Sequence, residues 1–546
     1  MIEFTGKLCY NRHELIGCGS PQRGTGMRSE VVMSTNHTIK NQASGITRAI
    51  TVGIAVILQV VTMVLLVLYL RQLSVWVYYA IEMFSVILIF ALVNDSESYK
   101  QFWVIIVLLL PMFGFFLYFM WGRRRSNSKT NRHIREVEQR MLDSLKQDED
   151  DELLAHFQSI HPNKVQISRY LAREGFPMYN NTTVKYYGLG EQMKEAMLED
   201  IRHAKSYIFM EYFIIKDGVF WQDVYELLKE KVKEGVEVWL LLDDFGCILI
   251  NTRQFREEVR AAGIQLAEFA PIHKDINRLS FNYRNHQKIT IIDGNIGYTG
   301  GINLADEYIN EVERFGHWKD TAVRLEGAGV YSLTCFFLEM WQIAENTEEL
   351  DYALYKPTVR IESESMVQPF ADGPANNPKN TAESAYTHMI NKARDYIYIT
   401  TPYLVLDQKM ADDLCRAAES GVDVRIITPH KYDKWYVYMV TVSNYGRLME
   451  KGVRVYEYEP GFIHAKNVVV DDEIAVCGTV NIDYRSFYLH YEDAVLMSKT
   501  PAVMEIKQDF FDTLESCKEI QYAEWMHRPL RQRFVQSVLR LFSPLL

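Results

Sequence analysis

A chain of 546 residues is long enough for two or three domains, and its net charge of −11 argues against a protein that wraps nucleic acid. Its seven cysteines are scattered and form no Cys-x-x-Cys pair, which argues against a zinc site or a disulfide framework. From the negative net charge we expect no nucleic-acid partner.

The N-terminal region combines a polar leader with apolar segments. Residues 1–48 show no periodicity, and we expect a mobile leader. Each apolar segment approaches the roughly 20 residues that a helix needs to cross a bilayer. The segments are 49–70, 75–93 and 102–121. The second contains Glu82, which is costly in a bilayer unless it packs against neighbouring helices. The sequence therefore predicts two or three transmembrane helices within residues 49–125.

Basic residues follow the third apolar segment, among them Arg123, Arg124 and Arg125. The positive-inside rule places this side of the membrane in the cytoplasm. We therefore expect a multi-pass protein of the cell membrane with a cytoplasmic catalytic domain. Residues 126–169 are charged and helix-prone, which is typical of a solvated linker.

From about residue 170 the sequence repeats itself. Segments 204–213 and 393–403 resemble each other, and each is followed by a helical pattern and a second β-rich segment, 235–243 or 421–427. Alternation of helices with β-rich segments predicts an α/β fold, in which each half is a sheet layered with helices. The predicted halves cover 170–355 and 356–510.

The last segment, 511–546, reads as an amphipathic helical region with arginines on its polar side. Such a helix lies on an anionic membrane surface or docks on the catalytic domain, and the sequence leaves both alternatives open.

One motif occurs once in each half. In both copies a His and a Lys lie two residues apart, and an Asp follows five residues after the Lys. The copies are His286, Lys288 and Asp293, and His464, Lys466 and Asp471. The intervening β-branched residues predict a buried strand on which His and Lys point the same way. Each strand leads into a glycine-containing turn and then to Asn303 or Asn481.

The duplicated His-x-Lys-x4-Asp motif resembles that of the phospholipase D superfamily. Segments 456–466, 483–487 and 542–546 are similar to those of bacterial cardiolipin synthases, although His490 stands where that pattern has Asn. The resemblance covers roughly residues 50–546. It implies two halves related by a pseudo-twofold axis, with one active site in the cleft between them.

Two histidines, two lysines and two asparagines suit phosphodiester exchange through a covalent intermediate. One imidazole attacks phosphorus to form a phosphohistidine, and the other protonates the departing alcohol. Lys288, Lys466, Asn303 and Asn481 are expected to bind the phosphate oxygens. These groups take the place of Mg²⁺, so we expect neither a metal nor another cofactor.

The carboxylates have different expected roles. Asp293 and Asp471 complete the motif and are grouped with its catalytic residues, but organisation of the turn is their favoured role. Asp320 and Glu492 follow the two motifs at comparable places. Each is expected to bind the far nitrogen of an imidazole and fix its tautomer, the alternative being an ordinary surface carboxylate.

The family resemblance implies transfer of a phosphatidyl group from one phosphatidylglycerol to another, giving cardiolipin and glycerol, with membrane lipids as partners. The alternatives are a hydrolytic phospholipase D, a phosphatidyltransferase with another donor, a membrane-tethered nuclease and a non-catalytic scaffold. The negative charge disfavours the nuclease, and two complete motifs disfavour the scaffold. The sequence leaves open which histidine is the nucleophile, the acyl preference and the oligomeric state.

Overall fold

The structure of the chain is a computed structural model. It describes residues 97–109, 129–146, 150–271, 283–347, 350–374 and 379–545, with short stretches between 61 and 118. The predicted leader lies outside the described residues, and so do most of the apolar segments 49–70 and 75–93. Helix α1 (Glu97–Leu109) overlaps the third predicted span. Within these described ranges, no helix combines the length and apolar character needed to cross a bilayer.

Three helices occupy the predicted linker: α2 (Lys129–Leu145), α3 (Asp150–Ile160) and α4 (Val165–Arg173). The expectation of a solvated linker is wrong for part of this segment. Val137, Met141 and Leu145 recur every four residues, so they share one face of α2, and all three are buried. Lys164 is also fully buried and forms an ion pair with Asp471. The linker is therefore fixed to the catalytic domain.

The first half is built from strands that mostly belong to one sheet. They are β1 (Thr182–Tyr187), β2 (Tyr207–Tyr212), β3 (Glu237–Asp243), β4 (Gln265–Phe269), β5 (Arg284–Asn285), β6 (Lys288–Ile292), β7 (Ile296–Gly300), β8 (His317–Lys319) and β9 (Ala322–Gly327). The helices are α5 (Gly190–Arg202), α6 (Val219–Lys233), α7 (Arg253–Ala261) and α8 (Val330–Glu345). The sheet has the strand order β1-β9-β7-β6-β2-β3-β4.

The second half repeats this plan. Its strands are β10 (Met366–Asp372), β11 (Tyr396–Thr400), β12 (Asp423–Pro429), β13 (Arg454–Tyr458), β14 (Gly461–Ile463), β15 (Asn467–Val470), β16 (Ile474–Gly478), β17 (His490–Ser498) and β18 (Cys517–Glu519). Its helices are α9 (Thr381–Lys392), α10 (Gln408–Glu419), α11 (Trp435–Glu450), α12 (Tyr484–Tyr488), α13 (Pro501–Leu514), α14 (Tyr522–Met526) and α15 (Leu530–Arg540).

The two sheets share their topology. The second has the order β10-β17-β16-β15-β11-β12-β13-β18, which matches the first strand by strand before β18 is added. In both, three strands run parallel and the remaining pairs are antiparallel. This arrangement confirms the predicted α/β fold.

The motif strands β6 and β15 lie in the middle of their sheets, and every residue of both is buried. Their β-branched side chains fill both faces, as expected for a strand covered on each side. Helix α8 packs between the sheets and α2, and its aromatic residues join the largest apolar core. The motifs are therefore held by buried strands at the centre of each sheet.

The C-terminal region contains β18 as well as helices, so the helical prediction for 511–546 is incomplete. Helix α15 packs against α11, and its Gln536 is buried. Leu530 and Phe534 of α15 remain 80% and 70% exposed. The helix is therefore docked on the domain with an apolar face still turned outward.

Candidate active site

Two short parallel pairings join the halves beside the motifs. Strand β5, directly before His286, pairs with the start of β17, and β14, directly before His464, pairs with β8. The backbone N–H of His286 donates to the carbonyl of Tyr491 at 2.9 Å, and that of His464 donates to the carbonyl of Lys319 at 2.7 Å. Each motif histidine is therefore attached to the half that does not contain it.

This attachment brings each histidine to a carboxylate of the opposite half. Nδ1 of His286 lies 2.8 Å from Oε2 of Glu492, and Nδ1 of His464 lies 2.6 Å from Oδ2 of Asp320. Both carboxylates are fully buried. With the Nδ1 proton held in this way, Nε2 is the nitrogen left for chemistry in each ring.

The glycine turn of the first half has Gly301 where that of the second half has Thr479. The surroundings of the two carboxylates explain this difference. A Cβ at Gly301 would lie 2.0 Å from Oδ1 of Asp320, so only glycine fits there. At the matching position Thr479 donates its hydroxyl proton to Oε2 of Glu492 at 2.5 Å. Each carboxylate therefore lies against the residue that directly follows β7 or β16, the strand after each motif strand.

The motif lysines are buried beside their histidines. Lys288 Nζ donates to the carbonyl of His286, and Lys466 Nζ donates to that of His464. Burial lowers the pKa of Lys288 to about 7 and that of Lys466 to about 8, against the opposing effect of the nearby carboxylates.

Burial and the neighbouring lysine charges also lower the pKa of both histidines. For His464 the value falls to about 4, with Asp320 opposing the shift, and for His286 the pKa falls well below its usual range. Both rings are therefore neutral at pH 7 and hold a lone pair.

Asn303 and Asn481 line the same cleft as the histidines. Oδ1 of Asn303 accepts the N–H of Ile214 at 3.0 Å, and its amide donates to the hydroxyl of Tyr308 at 2.8 Å. Oδ1 of Asn481 is buried without a hydrogen-bond partner.

Asp293 and Asp471 lie elsewhere. Each follows the end of its motif strand, so Asp293 is roughly 20 Å along the chain direction from His286. The Asp293 carboxylate accepts backbone N–H groups of residues 205–207, and that of Asp471 accepts those of residues 394–396. Both residues have positive φ, near 53° and 54°. Their contacts join the motif strand to the neighbouring strand, which is the favoured role that the sequence suggested.

The cleft between the halves has a volume of about 680 Å³. Aromatic side chains make up much of its wall: Phe213, Phe245, Tyr308, Phe315, Trp318, Tyr403, Tyr436 and Phe462. Its charged residues include Arg284, Arg314, Lys434 and Arg485. Apart from Arg485, which lies in the family-like segment 483–487, none of these cations belongs to a pattern that a single sequence reveals.

One group among the described residues has the spacing of a metal site. Potential ligand atoms of His286, His490 and Glu492 lie within 4.8 Å of one another. However, Arg485 Nε donates to Nε2 of His490 at 3.2 Å, and the charge of Lys288 also acts on His286. These positive charges oppose a metal cation and favour an anion such as phosphate.

The chain matches known proteins over most of its length. The family described as "Cardiolipin synthase, PLD-like domain" matches residues 197–315 and 386–514, and that described as "Phospholipase D-nuclease N-terminal" matches residues 83–123. Cardiolipin synthase 2 of Bacillus anthracis is 34% identical over 473 residues, which cover 86% of this chain and 91% of the relative. Cardiolipin synthase 1 of Bacillus cereus is 33% identical over 510 residues, covering 91% and 99%.

A solved structure supports the fold. The phosphatidylserine synthase of Haemophilus influenzae superposes with a TM-score of 0.55 at 15% sequence identity, covering 69% of this chain and 99% of that protein. The sequence matches and the duplicated motif around one cleft lead to one conclusion: the chain belongs to the cardiolipin synthase family of the phospholipase D superfamily.

Proposed function

We propose that this protein is a phosphatidyltransferase that makes cardiolipin and glycerol from two molecules of phosphatidylglycerol. The observation that carries the proposal is the pair of neutral, carboxylate-bound histidines that reach one cleft from opposite halves. The names of the relatives, cardiolipin synthases in two Bacillus species, agree with it.

The first step moves the phosphatidyl group onto the protein. Nε2 of one histidine attacks phosphorus, a P–N bond forms, and the P–O bond to the glycerol headgroup breaks. The other ring takes up a proton on Nε2 when the anionic phosphate enters beside it, and gives that proton to the departing glycerol oxygen. Attack and departure occur on opposite sides of phosphorus, and histidines from opposite halves suit that geometry.

The second step reverses these roles. The histidine that lost its proton takes one from a hydroxyl of the second phosphatidylglycerol, whose oxygen attacks phosphorus. A new P–O bond forms, the P–N bond breaks, and both histidines return to their starting state. A water molecule in place of the lipid hydroxyl would yield phosphatidic acid, so the choice of acceptor separates synthase from phospholipase.

The buried lysines and asparagines bind the phosphate in this proposal. Lys288 and Lys466 balance the charge of the non-bridging oxygens, and the amides of Asn303 and Asn481 donate hydrogen bonds. Asp320 and Glu492 hold their imidazoles in the reactive tautomer and stabilise the positive charge that each ring acquires. Asp293 and Asp471 support the motif strands without contacting substrate.

A membrane substrate fits the N-terminal sequence. We infer that the apolar segments anchor the protein as a multi-pass protein of the cell membrane and that the basic residues after Trp121 keep the catalytic halves in the cytoplasm. The cleft then draws its lipids from the cytoplasmic leaflet.

The pH dependence tests the proposed role of the lysines. We expect kcat/KM to fall as the pH rises through about 7 to 8, because Lys288 and Lys466 have pKa values of about 7 and 8 and lose their charges there. Lys288→Arg should move the alkaline limb to higher pH, since guanidinium stays charged. A kcat/KM that is constant from pH 6 to 10 would contradict this role.

The product distribution tests the function itself. Purified full-length protein in phosphatidylglycerol micelles with EDTA should release glycerol and form cardiolipin in equal amounts. Phosphatidic acid with glycerol would instead identify a phospholipase D. If phosphatidylglycerol is not consumed but a mixture with phosphatidylethanolamine is, the donor assignment is wrong while the transferase class stands.

A further inference from the structure

Helix α15 has two opposite apolar faces. On the inner face Gln536 is buried, and Leu539 packs against an apolar cluster that includes Val437 of α11. A second set of apolar side chains is exposed and recurs every three or four residues, so at about 100° per residue its members share the outer face. They are Leu530, Phe534, Val538 and, directly after the helix, Leu541. Docking on the domain therefore leaves a complete apolar stripe facing outward.

Arginines border this stripe on both sides. At about 100° per residue, Arg531 lies on one side of the stripe, whereas Arg533 and Arg540 lie on the other. All three are exposed, and within the part of the chain that the structure describes none of them forms an ion pair. Residues 525–546 contain four arginines and no Asp or Glu, although the net charge of the whole chain is −11. The outer face of α15 is therefore apolar at its centre and positive at its edges.

The end of α15 contacts the segment that the sequence predicts to enter the membrane. The ring of Phe542 is centred 5.6 Å from that of Phe102 on α1, the helix that overlaps the third predicted span. The short helical turn Ser543–Leu545 contacts α1 as well. The outer stripe of α15 therefore ends beside the predicted membrane segment.

The inner face of α15 lies close to the cleft. Leu539 and Tyr403 pack against the same apolar cluster, and both Tyr403 and Val437 of that region line the cleft. Directly before Val437, Tyr436 lines the cleft and is 36% exposed, and its neighbour Trp435 is 50% exposed. Tyrosine and tryptophan are the side chains that membrane proteins concentrate at the boundary between lipid and water. A lipid surface on α15 would therefore lie beside an aromatic entrance to the cleft.

Protein partners fit this surface less well than lipid does. In a twofold contact each copy uses the same surface, so a second copy bound through α15 would bring two sets of arginines together. A soluble partner would have to approach beside α1, where the sequence predicts the bilayer. An anionic lipid surface instead offers an apolar interior to the stripe and phosphates to the arginines.

We propose that α15 lies in the surface of the anionic cytoplasmic leaflet and holds the entrance of the cleft against the lipid. This inference rests on the proposed function, because the leaflet that receives α15 also contains the phosphatidylglycerol that the cleft would use. The apolar stripe enters the boundary between headgroups and acyl chains, and the long arginine side chains reach back to the lipid phosphates. Lipids then pass between the leaflet and the cleft without crossing water.

The first test identifies what contacts the stripe. The photoreactive residue p-benzoylphenylalanine takes the place of Phe534 in the full-length protein, which is reconstituted in vesicles of equal parts phosphatidylcholine and phosphatidylglycerol. After illumination, mass spectrometry of the peptide around position 534 should show lipid adducts. A crosslink between two copies of the chain, or a peptide without any adduct, would overturn the proposal.

The matched control carries the same photoreactive residue in place of Leu354, an apolar side chain that is 74% exposed. Leu354 adjoins Tyr355, whose carbonyl accepts the hydroxyl proton of Tyr207, and the backbone N–H of Tyr207 donates to Asp293. This position therefore lies at the end of the motif strand away from the histidines, and we expect no lipid adduct there. An equal yield of adduct at both positions would contradict a specific role of α15.

The second test measures transfer. For Phe534→Glu we expect the initial rate on vesicles to fall at least about fivefold, because a carboxylate in the stripe opposes its entry into lipid. Phe534→Leu should keep the wild-type rate on vesicles. On short-chain phosphatidylglycerol dispersed in detergent, both variants should match the wild type, since α15 contributes no group to the reaction. An unchanged vesicle rate in Phe534→Glu would overturn the proposal, and so would an equal loss on both substrates, because Phe534 would then support the folded domain instead.

Failure of this inference and failure of the proposed function give different results. If the protein is not a cardiolipin synthase, the wild type forms no cardiolipin, yet lipid adducts at position 534 still form because crosslinking needs no turnover. If α15 does not bind the leaflet, the wild type forms cardiolipin and the adducts are absent.

Discussion

Replacing either motif histidine by alanine is expected to lower cardiolipin formation by at least about 10³-fold, because one variant lacks the nucleophile and the other lacks the general acid. His286 and His464 are both required in this mechanism, and their roles exchange between its two steps. The measurement is the initial rate of cardiolipin formation in matched detergent preparations. Circular dichroism and thermal unfolding of each variant show whether the domain has kept its fold.

A matched control separates the motif histidines from others. His430 also contacts a glutamate, with Nδ1 2.8 Å from Oε2 of Glu457, but it does not line the cleft. His430→Ala should therefore retain activity within a few-fold of the wild type. Full activity in His286→Ala or His464→Ala would disprove the two-histidine mechanism. Each variant can also be incubated with a donor labelled at phosphorus. If only one variant retains acid-labile label, the motif histidine that this variant still contains is the nucleophile.

The second large effect is expected from the crossed carboxylates. Asp320→Asn and Glu492→Gln should each reduce kcat by about 10- to 100-fold, because an amide neither stabilises imidazolium nor fixes the Nδ1–H tautomer. Asp320 raises the pKa of His464 against the effect of burial. Its removal should therefore lower that pKa further and move the acid limb of the kcat/KM profile to lower pH.

The comparison variant is Glu307→Gln, which alters a cleft carboxylate that binds Lys216 and Arg314 instead of a motif histidine. We expect a smaller loss of kcat there and no movement of the acid limb. If Asp320→Asn behaves like Glu307→Gln in both respects, Asp320 does not act through His464.

Much of the fold was predictable because it is duplicated. Two matching series of apolar segments predicted an α/β fold, and the strand orders of the two sheets agree with that prediction. The buried motif strands were predictable for a physical reason: runs such as 289–292 and 468–470 are entirely β-branched. The three helices of the linker were harder to predict from the sequence, since the apolar face of α2 lies within a segment of high charge.

The sequence indicated the two carboxylates but not which histidine each of them contacts. Asp320 lies 34 residues after His286 and 144 residues before His464, yet it contacts His464. Distance along the chain therefore suggests the wrong partner. The pairing depends on β5 and β14, which contain two and three residues and are too short to recognise as strands.

The exchange of carboxylates has a consequence for synthesis of the chain. A ribosome that has released only the first half has made His286 but not Glu492, so this histidine has no group to hold its proton. His464 and Glu492 both lie in the second half, so both histidine–carboxylate pairs depend on the half that is made later. A nascent or truncated polypeptide that ends before residue 464 therefore contains neither pair, and the centre can assemble only after both halves have been made.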